Sequence, residues 1–199
     1  MAHIARVDAA VALSGQLDAD ISLDPGDRGE TRNGDVAWTL HDPGADWHLV
    51  LQDDALPIPQ FRRHVTAALL HAPETAVSFY IGTGRPLPVR VTRAIERADR
   101  DGNAWLEHQR MLWGVAIAMP TGHIARFLTW GKLCDAAYDR RIGLYWAERK
   151  QLVRYTWPSL VDHVDGPTLI KHPWGEPRCR RVAHGVGFPK VWQTGVTRI

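Results

Sequence analysis

Apolar positions along the chain fall into short segments that alternate between helical spacing and continuous runs. Ile4, Val7, Val11 and Leu17 keep helical spacing, which predicts a first helix over residues 3–18. Residues 20–24 form a short strand pattern stopped by Pro25 and Gly26. The polar, glycine-containing stretch 27–34 is predicted as a loop, and residues 35–41 as a short helix. After the turn at Pro43 and Gly44, the sequence WHLVL (Trp47–Leu51) is nearly continuous apolar chain that stops abruptly at Gln52, Asp53 and Asp54. A buried strand with acids just past its carboxyl end fits that pattern. Pro57 and Pro59 open a helix with Ile58, Phe61, Val65 and Leu69 on one face. Strands are predicted at 76–81, 113–119 and 152–157, helices at 89–100, 121–130 and 134–149, and a turn at 101–103. Beyond Gly166 the density of proline and glycine rises and no regular structure is predicted.

Strands alternating with helices predict an α/β fold: one domain over residues 1–199, with a mostly parallel central sheet flanked by helices and an irregular basic tail. Ligands of such sheets bind beyond the carboxyl ends of the strands, and the Gln52-Asp53-Asp54 segment lies at that edge. No apolar run approaches the ~18 residues that a membrane helix needs. The first residues, MAHIARVDAA, lack the layout of a signal peptide. Two cysteines, Cys134 and Cys179, are too few for a disulfide framework or a four-cysteine zinc site. The expectation is a soluble, cytoplasmic protein without a membrane partner.

Charge changes the picture more than composition does. Residues 1–60 carry three basic groups (Arg6, Arg28, Arg32) against eleven acids, a net −8, so the whole-chain +2 leaves +10 for residues 61–199. The stretch 171–199 alone carries +5. This polarity suggests that one end handles a cation and the other an anion. Adjacent carboxylates after a buried strand repel and resist desolvation, and a hard divalent cation relieves both costs. A strand-to-helix turn with Asp54 as cap and Asp53 in solvent accounts for the same two residues. Gly82 and Gly84 form a loop pair without the Gly-Lys-Ser/Thr of a phosphate-binding loop.

Taken together, these residues resemble a family. The run WHLVLQDDALPIPQF is similar to the metal-binding strand end of nucleotide-sugar glycosyltransferases of the GT-A fold, whose Asp-x-Asp motif takes an LQDD form in some branches. Thr31-Arg32-Asn33-Gly34 resembles the Arg-Asn segment that precedes that strand. Residues 158–163 (PSLVDH) resemble the family's closing segment, in which a histidine completes the metal site, and the stretch from Trp113 and Gly114 resembles the strand supporting the acceptor pocket. Order and spacing agree over roughly residues 3–170.

The resemblance implies a metal-dependent glycosyltransferase, with residues 1–60 as the acidic donor and metal half, 61–170 as the acceptor half and 171–199 as a basic tail. Asp54, Asp53 and His163 would hold Mn²⁺ or Mg²⁺. Asp24, Arg32, Asn33, Gln52 and His184 would meet a nucleotide-sugar donor, a UDP-sugar first among candidates. Gln52 stands where the usual pattern has an acid. Asp139 resembles the carboxylate that takes a proton from the acceptor hydroxyl in an inverting transfer, and Asp135, one turn earlier, is its rival. Lys171, Arg178, Arg180, Arg181 and His184 are candidates for closing over the diphosphate. One departure is that little precedes the first helix, where the family begins with a nucleotide-carrying strand.

On the acceptor side, Trp113 and Gly114 would form the pocket. Arg90, Arg93, Arg97 and Arg100 recur along one helical face, which suits a phosphate backbone or an ordinary solvated surface. Compact transferases resembling this one occur in bacteriophages, where some glycosylate hydroxymethylated pyrimidines in DNA and others virion proteins. The charge asymmetry favours hydroxymethylated DNA. A virion protein or glycan acceptor, and a catalytically silent binding module of the same fold, are the alternatives. A metal-dependent nuclease or phosphohydrolase ranks last, because no larger carboxylate set is visible.

Overall fold

The computed structural model describes residues 1–164 and 181–199. The sequence candidates Lys171, Arg178, Cys179 and Arg180 lie outside the described residues. Among those described, the chain forms β1 (Ala2–His3), a short 3₁₀ turn (Ile4–Arg6), α1 (Val7–Leu17), β2 (Leu23–Asp24), α2 (Gly29–Thr39), β3 (Trp47–Leu51), β4 (Ala55–Pro57) and α3 (Phe61–Leu69). There follow β5 (Val77–Ser78), α4 (Pro88–Asp101), β6 (Trp105–His108), β7 (Ala116–Pro120), α5 (Thr121–Gly131), α6 (Tyr138–Glu148), β8 (Val153–Thr156), β9 (Val161–His163) and β10 (Val196–Arg198).

The α/β expectation holds, but the central sheet is mixed rather than mostly parallel. Its order is β10-β6-β8-β5-β7-β3. Two neighbouring pairs, β10·β6 and β8·β5, are parallel, while β6·β8, β5·β7 and β7·β3 are antiparallel. The reason lies in β7. All five of its residues are buried, with Ile117 and Met119 in one core and Ala116 and Ala118 in the other. A strand covered on both faces is apolar throughout whichever way it points, so its sequence carries no signal of direction.

Local chemistry explains both ends of α4 and the start of α2. α4 starts with Pro88 in its first turn and stops at Gly102, whose φ of +68° is the left-handed cap conformation. Its buried face is Val91, Ala94, Ile95 and Ala98, at helical spacing. α2 starts at Gly29, inside the predicted loop. Asp24 nucleates it by accepting from the N–H groups of Gly26, Arg28 and Gly29 at 2.8–3.0 Å. Gly34, which suggested a loop, is a packing glycine: a Cβ there would lie 2.4 Å from the Tyr138 ring.

Other expectations also shift. The predicted 3–18 helix is β1, a 3₁₀ turn and α1, and the segment opened by Pro57 begins as β4 with α3 delayed to Phe61. A first strand therefore exists: β1 pairs in parallel with β2, and the Met1 ammonium donates to Leu51 O at 2.9 Å. Among the described residues, no helix is long and apolar enough to cross a membrane.

Candidate functional site

The acidic turn is built by two strands that continue past the central sheet. β3 ends at Leu51, the chain turns through Gln52, Asp53 and Asp54, and β4 leaves directly. β4 pairs antiparallel with β9, with Ala55 opposite His163, and Val164 N–H donates to Asp54 O at 2.9 Å. Register alone therefore brings His163 beside Asp54, with Nε2 3.2 Å from Oδ2. On the other side stands Arg6, whose Nη1 is 3.1 Å from Asp53 Oδ1 and also contacts Asp54 Oδ2. Asp53 accepts a further bond from His3 N–H at 2.8 Å.

Asp54 is buried, and burial by itself would raise its carboxyl. The hydrogen bond and charge of His163, together with Arg6, outweigh that and hold it below the usual carboxylate range. The Arg6 guanidinium is opposed by desolvation too, yet the two carboxylates raise it further. Asp54 Oδ1 and His163 Nδ1 are buried with no partner.

The 3.2 Å between His163 Nε2 and Asp54 Oδ2 is a hydrogen-bond distance. Among the described residues, no group of three or more His, Cys, Asp or Glu side chains is placed to hold a metal ion. The positive charge between Asp53 and Asp54 belongs to Arg6.

A second pair of acids adjoins the turn. Gln52 Nε2 donates to Glu30 Oε1 at 2.8 Å. Burial, then the charge of Asp139, pushes the Glu30 carboxyl up to about 7, against the Gln52 bond; Asp54 adds to the rise. Burial also raises the Asp139 carboxyl, opposed by the Arg140 backbone N–H. Asp139 is set by its neighbour Tyr138, whose ring is clamped between Gly34 and Gly114; a Cβ at Gly114 would lie 3.0 Å from it and 3.4 Å from Gln52 Nε2. Arg141 fixes the same end of α6 by pairing with Asp35 and lying 5.4 Å above the Phe127 ring. It is 3% exposed, so it packs inside the molecule rather than on a solvated face. Trp113 Nε1 donates to Arg85 O at 3.1 Å, and its ring meets Tyr80 edge-on at 6.0 Å. Tyr80 in turn faces His163 at 6.1 Å.

The structure thus gathers Gln52, Asp53, Asp54, Trp113, Gly114, Asp139 and His163. Other candidates go elsewhere. Asp135 is exposed in the approach to α6. The bonds of Asp24 are those of a turn and helix cap. Asn33 is 2% exposed; its amide donates to Ala2 O and Ser22 O, and its carbonyl accepts from Ser22 Oγ and Arg28, so it pins β1 to β2. Arg32 is exposed on α2. His184 returns over the end of the β5 segment, its N–H donating to Ile81 O at 2.9 Å; burial lowers its imidazole, and Nε2 has no partner. Arg181 is half-buried just before it. Arg90 and Arg93 are exposed and Arg97 donates to Arg198 O at 2.6 Å. Their helix packs on β6 and β10, which stand four and five places from β3 in the sheet. That is roughly 20 Å at the usual strand spacing.

A cleft of about 580 Å³ opens beside Asp53 between α1 and the outer edge of β3, lined by Leu13, Leu17, Ser22, Leu49 and Arg62 among others. Its size suits a small molecule, but Asp54, His163, Glu30 and Asp139 do not line it.

Two residues of the site escaped sequence reasoning. Glu30 lay in a predicted loop, although the spacing of Glu30, Gly34, Ala37 and Trp38 along α2 is a helical signal. Arg6 had no local signal at all. No model of a known protein family matches the chain, and no curated protein matches it either.

Proposed function

We propose that the chain is a metal-dependent glycosyltransferase of the GT-A type, moving a sugar from a nucleotide-sugar donor to an acceptor hydroxyl. The observation that carries this reading is the meeting of two unlike carboxylate sets at the end of β3. In one set, His163 and Arg6 hold the Asp54 carboxyl below the usual carboxylate range; in the other, Glu30 and Asp139 are pushed up, towards holding a proton. Separated acid strengths of this kind divide ion binding from proton transfer.

Asp54, Asp53 and His163 would hold the Mn²⁺ or Mg²⁺ ion, whose chemistry is to neutralise the departing diphosphate. Asp139 takes the proton from the acceptor hydroxyl as its oxygen forms the new bond to the anomeric carbon and the sugar–phosphate bond breaks. Its raised pKa makes it a better proton acceptor at neutral pH than a solvated aspartate would be. Gln52 holds Glu30 in place behind it. The half-buried Trp113 ring, backed by the buried Tyr80, is an aromatic surface suited to a sugar face.

For the acceptor we propose hydroxymethylated DNA. Arg90 and Arg93 face solvent on α4, four to five strands from β3 and so roughly 20 Å from the acids, a separation that a bound duplex would bridge. The test is turnover of a panel of nucleotide sugars with Mn²⁺ or Mg²⁺, followed as released nucleoside diphosphate with and without that DNA. Metal-dependent release that rises with hydroxymethylated DNA is expected. Release without a DNA effect moves the acceptor to protein or glycan, and no release from any donor contradicts the transferase reading.

A further inference from the structure

The arginine row predicted on α4 does not stay together. Arg100 pairs with Asp101 at 3.1 Å, and Arg97 is half-buried with Nη2 donating to Arg198 O at 2.6 Å. Arg90 and Arg93 remain exposed, and two arginines from distant parts of the chain add to them. The N–H of Arg110, just past β6, donates to His108 Nδ1 at 3.0 Å, which sets the turn that carries its exposed side chain. Arg198 ends β10, held against β6 by parallel pairing opposite Glu107 and against α4 by the Arg97 bond. Asn103 ties the chain after α4 to the same strand, its amide donating to Thr197 Oγ1 at 3.0 Å. Burial lowers the His108 imidazole, opposed by a bond to the Arg110 backbone, and the charges of Arg110, Arg90 and Arg198 lower it further. Three guanidiniums therefore stand within electrostatic reach of one ring. Among the described residues, no carboxylate pairs with Arg90, Arg93, Arg110 or Arg198; Glu107 is taken by Arg154 at 3.3 Å and Asp99 by Trp157 Nε1 at 2.6 Å.

We propose that Arg90, Arg93, Arg110 and Arg198 form one phosphate-binding face, built by α4, the turn after β6 and the end of β10, and that its partner is the backbone of duplex DNA. Guanidiniums left without carboxylates keep their attraction for an anion, and their planar forks match phosphate oxygens in pairs. Clustered like charges also repel one another, and an anion relieves that repulsion. The face favours a polyanion over a single phosphate because its four charges are spread over three elements, whereas a duplex offers one charge per about 1.7 Å of its length. It favours the backbone over the bases because α4 carries no aromatic residue on which a base could stack. The face takes its partner from the DNA reading of the acceptor and rests on it, but it is independent of the acids at the end of β3. Binding should therefore require neither a metal ion nor a hydroxymethyl group. Backbone contacts of this kind fix the register of a duplex rather than read its sequence.

The test is fluorescence anisotropy of a short labelled duplex of unmodified DNA, titrated with the full chain in the absence of metal over a range of salt, with thermal unfolding of each variant. Wild type should bind, with an affinity that falls steeply as salt rises. Arg110→Ala/Arg198→Ala and Arg90→Ala/Arg93→Ala should each weaken binding about tenfold or more at moderate salt. Each should also make the dependence of log affinity on log salt shallower by about 2, and unfold at the wild-type temperature. Arg32→Ala/Arg63→Ala, which removes two exposed arginines from α2 and α3, should match wild type. Single substitutions serve if a double variant fails to fold, each making the salt dependence shallower by about 1. Duplex binding that Arg110→Ala/Arg198→Ala leaves unchanged, or that Arg32→Ala/Arg63→Ala weakens as much, overturns this face and leaves DNA as the acceptor. No binding by wild type overturns both. Phosphatidylglycerol vesicles bound as tightly as the duplex, and released by the same substitutions, overturn duplex DNA as the partner of this face.

Discussion

The two carboxylate sets at the end of β3 use the same chemical group in opposite ways. Asp54 is buried, yet His163 and Arg6 keep it charged. Glu30 and Asp139 are half-buried without a cation of that kind, and the charge of Asp139 adds to the cost of ionising Glu30. The lesson is that neighbours, rather than residue type or burial, separate a charge-holding half of the site from a proton-handling half.

The comparison breaks most visibly at Asp139. Asp139→Asn should lower turnover by about 10²–10⁴-fold, the usual scale for a lost general base, while Mn²⁺-dependent donor affinity stays the same; steady-state kinetics and donor titration check both halves of that statement. Asp54→Asn should lower turnover by about 10²–10³-fold and also remove the response to Mn²⁺, seen as equal rates with and without a chelator.

Glu30 sharpens the contrast through pH. Its folded-state pKa of about 7 lies above its ordinary 4.5, so its contribution to stability is complete below pH 4.5 and is lost as pH rises through 7. The loss reaches up to about 3 kcal/mol. Urea unfolding between pH 4.5 and 8 should therefore show a steeper decline in wild type than in Glu30→Gln. Gly34→Ala acts more weakly and indirectly. The added methyl displaces the Tyr138 ring, should cost about 1–3 kcal/mol in chemical denaturation, and should disturb Asp139 rather than the Asp54–His163 pair. Arg32→Ala, on an exposed face of α2, should change stability by less than about 0.5 kcal/mol in the same assay.

The halves differ in how legible they were from sequence. The ion half announces itself locally: five residues of an apolar strand, two acids and a turn occupy one short window, and residues 47–51 form the predicted strand, though at the sheet edge and half-buried rather than buried. His163 entered only through the PSLVDH resemblance, because its approach to Asp54 depends on β4, a strand that two prolines disguised as a helix start. The proton half is long-range. Glu30 joins it only because Asp24 starts α2 five residues earlier than the last glycine of the stretch suggests, and Asp139 only because Gly34 and Gly114 leave room for Tyr138. Arg6 depends on β1 lying against β2, a pairing two residues long. Strand direction was illegible for a different reason: β7 is apolar on both faces, and no periodicity distinguishes parallel from antiparallel burial.

The division of the site is tested most directly by calorimetric titration of Mn²⁺ with a nucleoside diphosphate into wild type, Asp54→Asn and Asp139→Asn. Binding lost in Asp54→Asn and retained in Asp139→Asn is the predicted result. Equal binding in all three proteins, or a loss in Asp139→Asn as large as that in Asp54→Asn, would contradict the account.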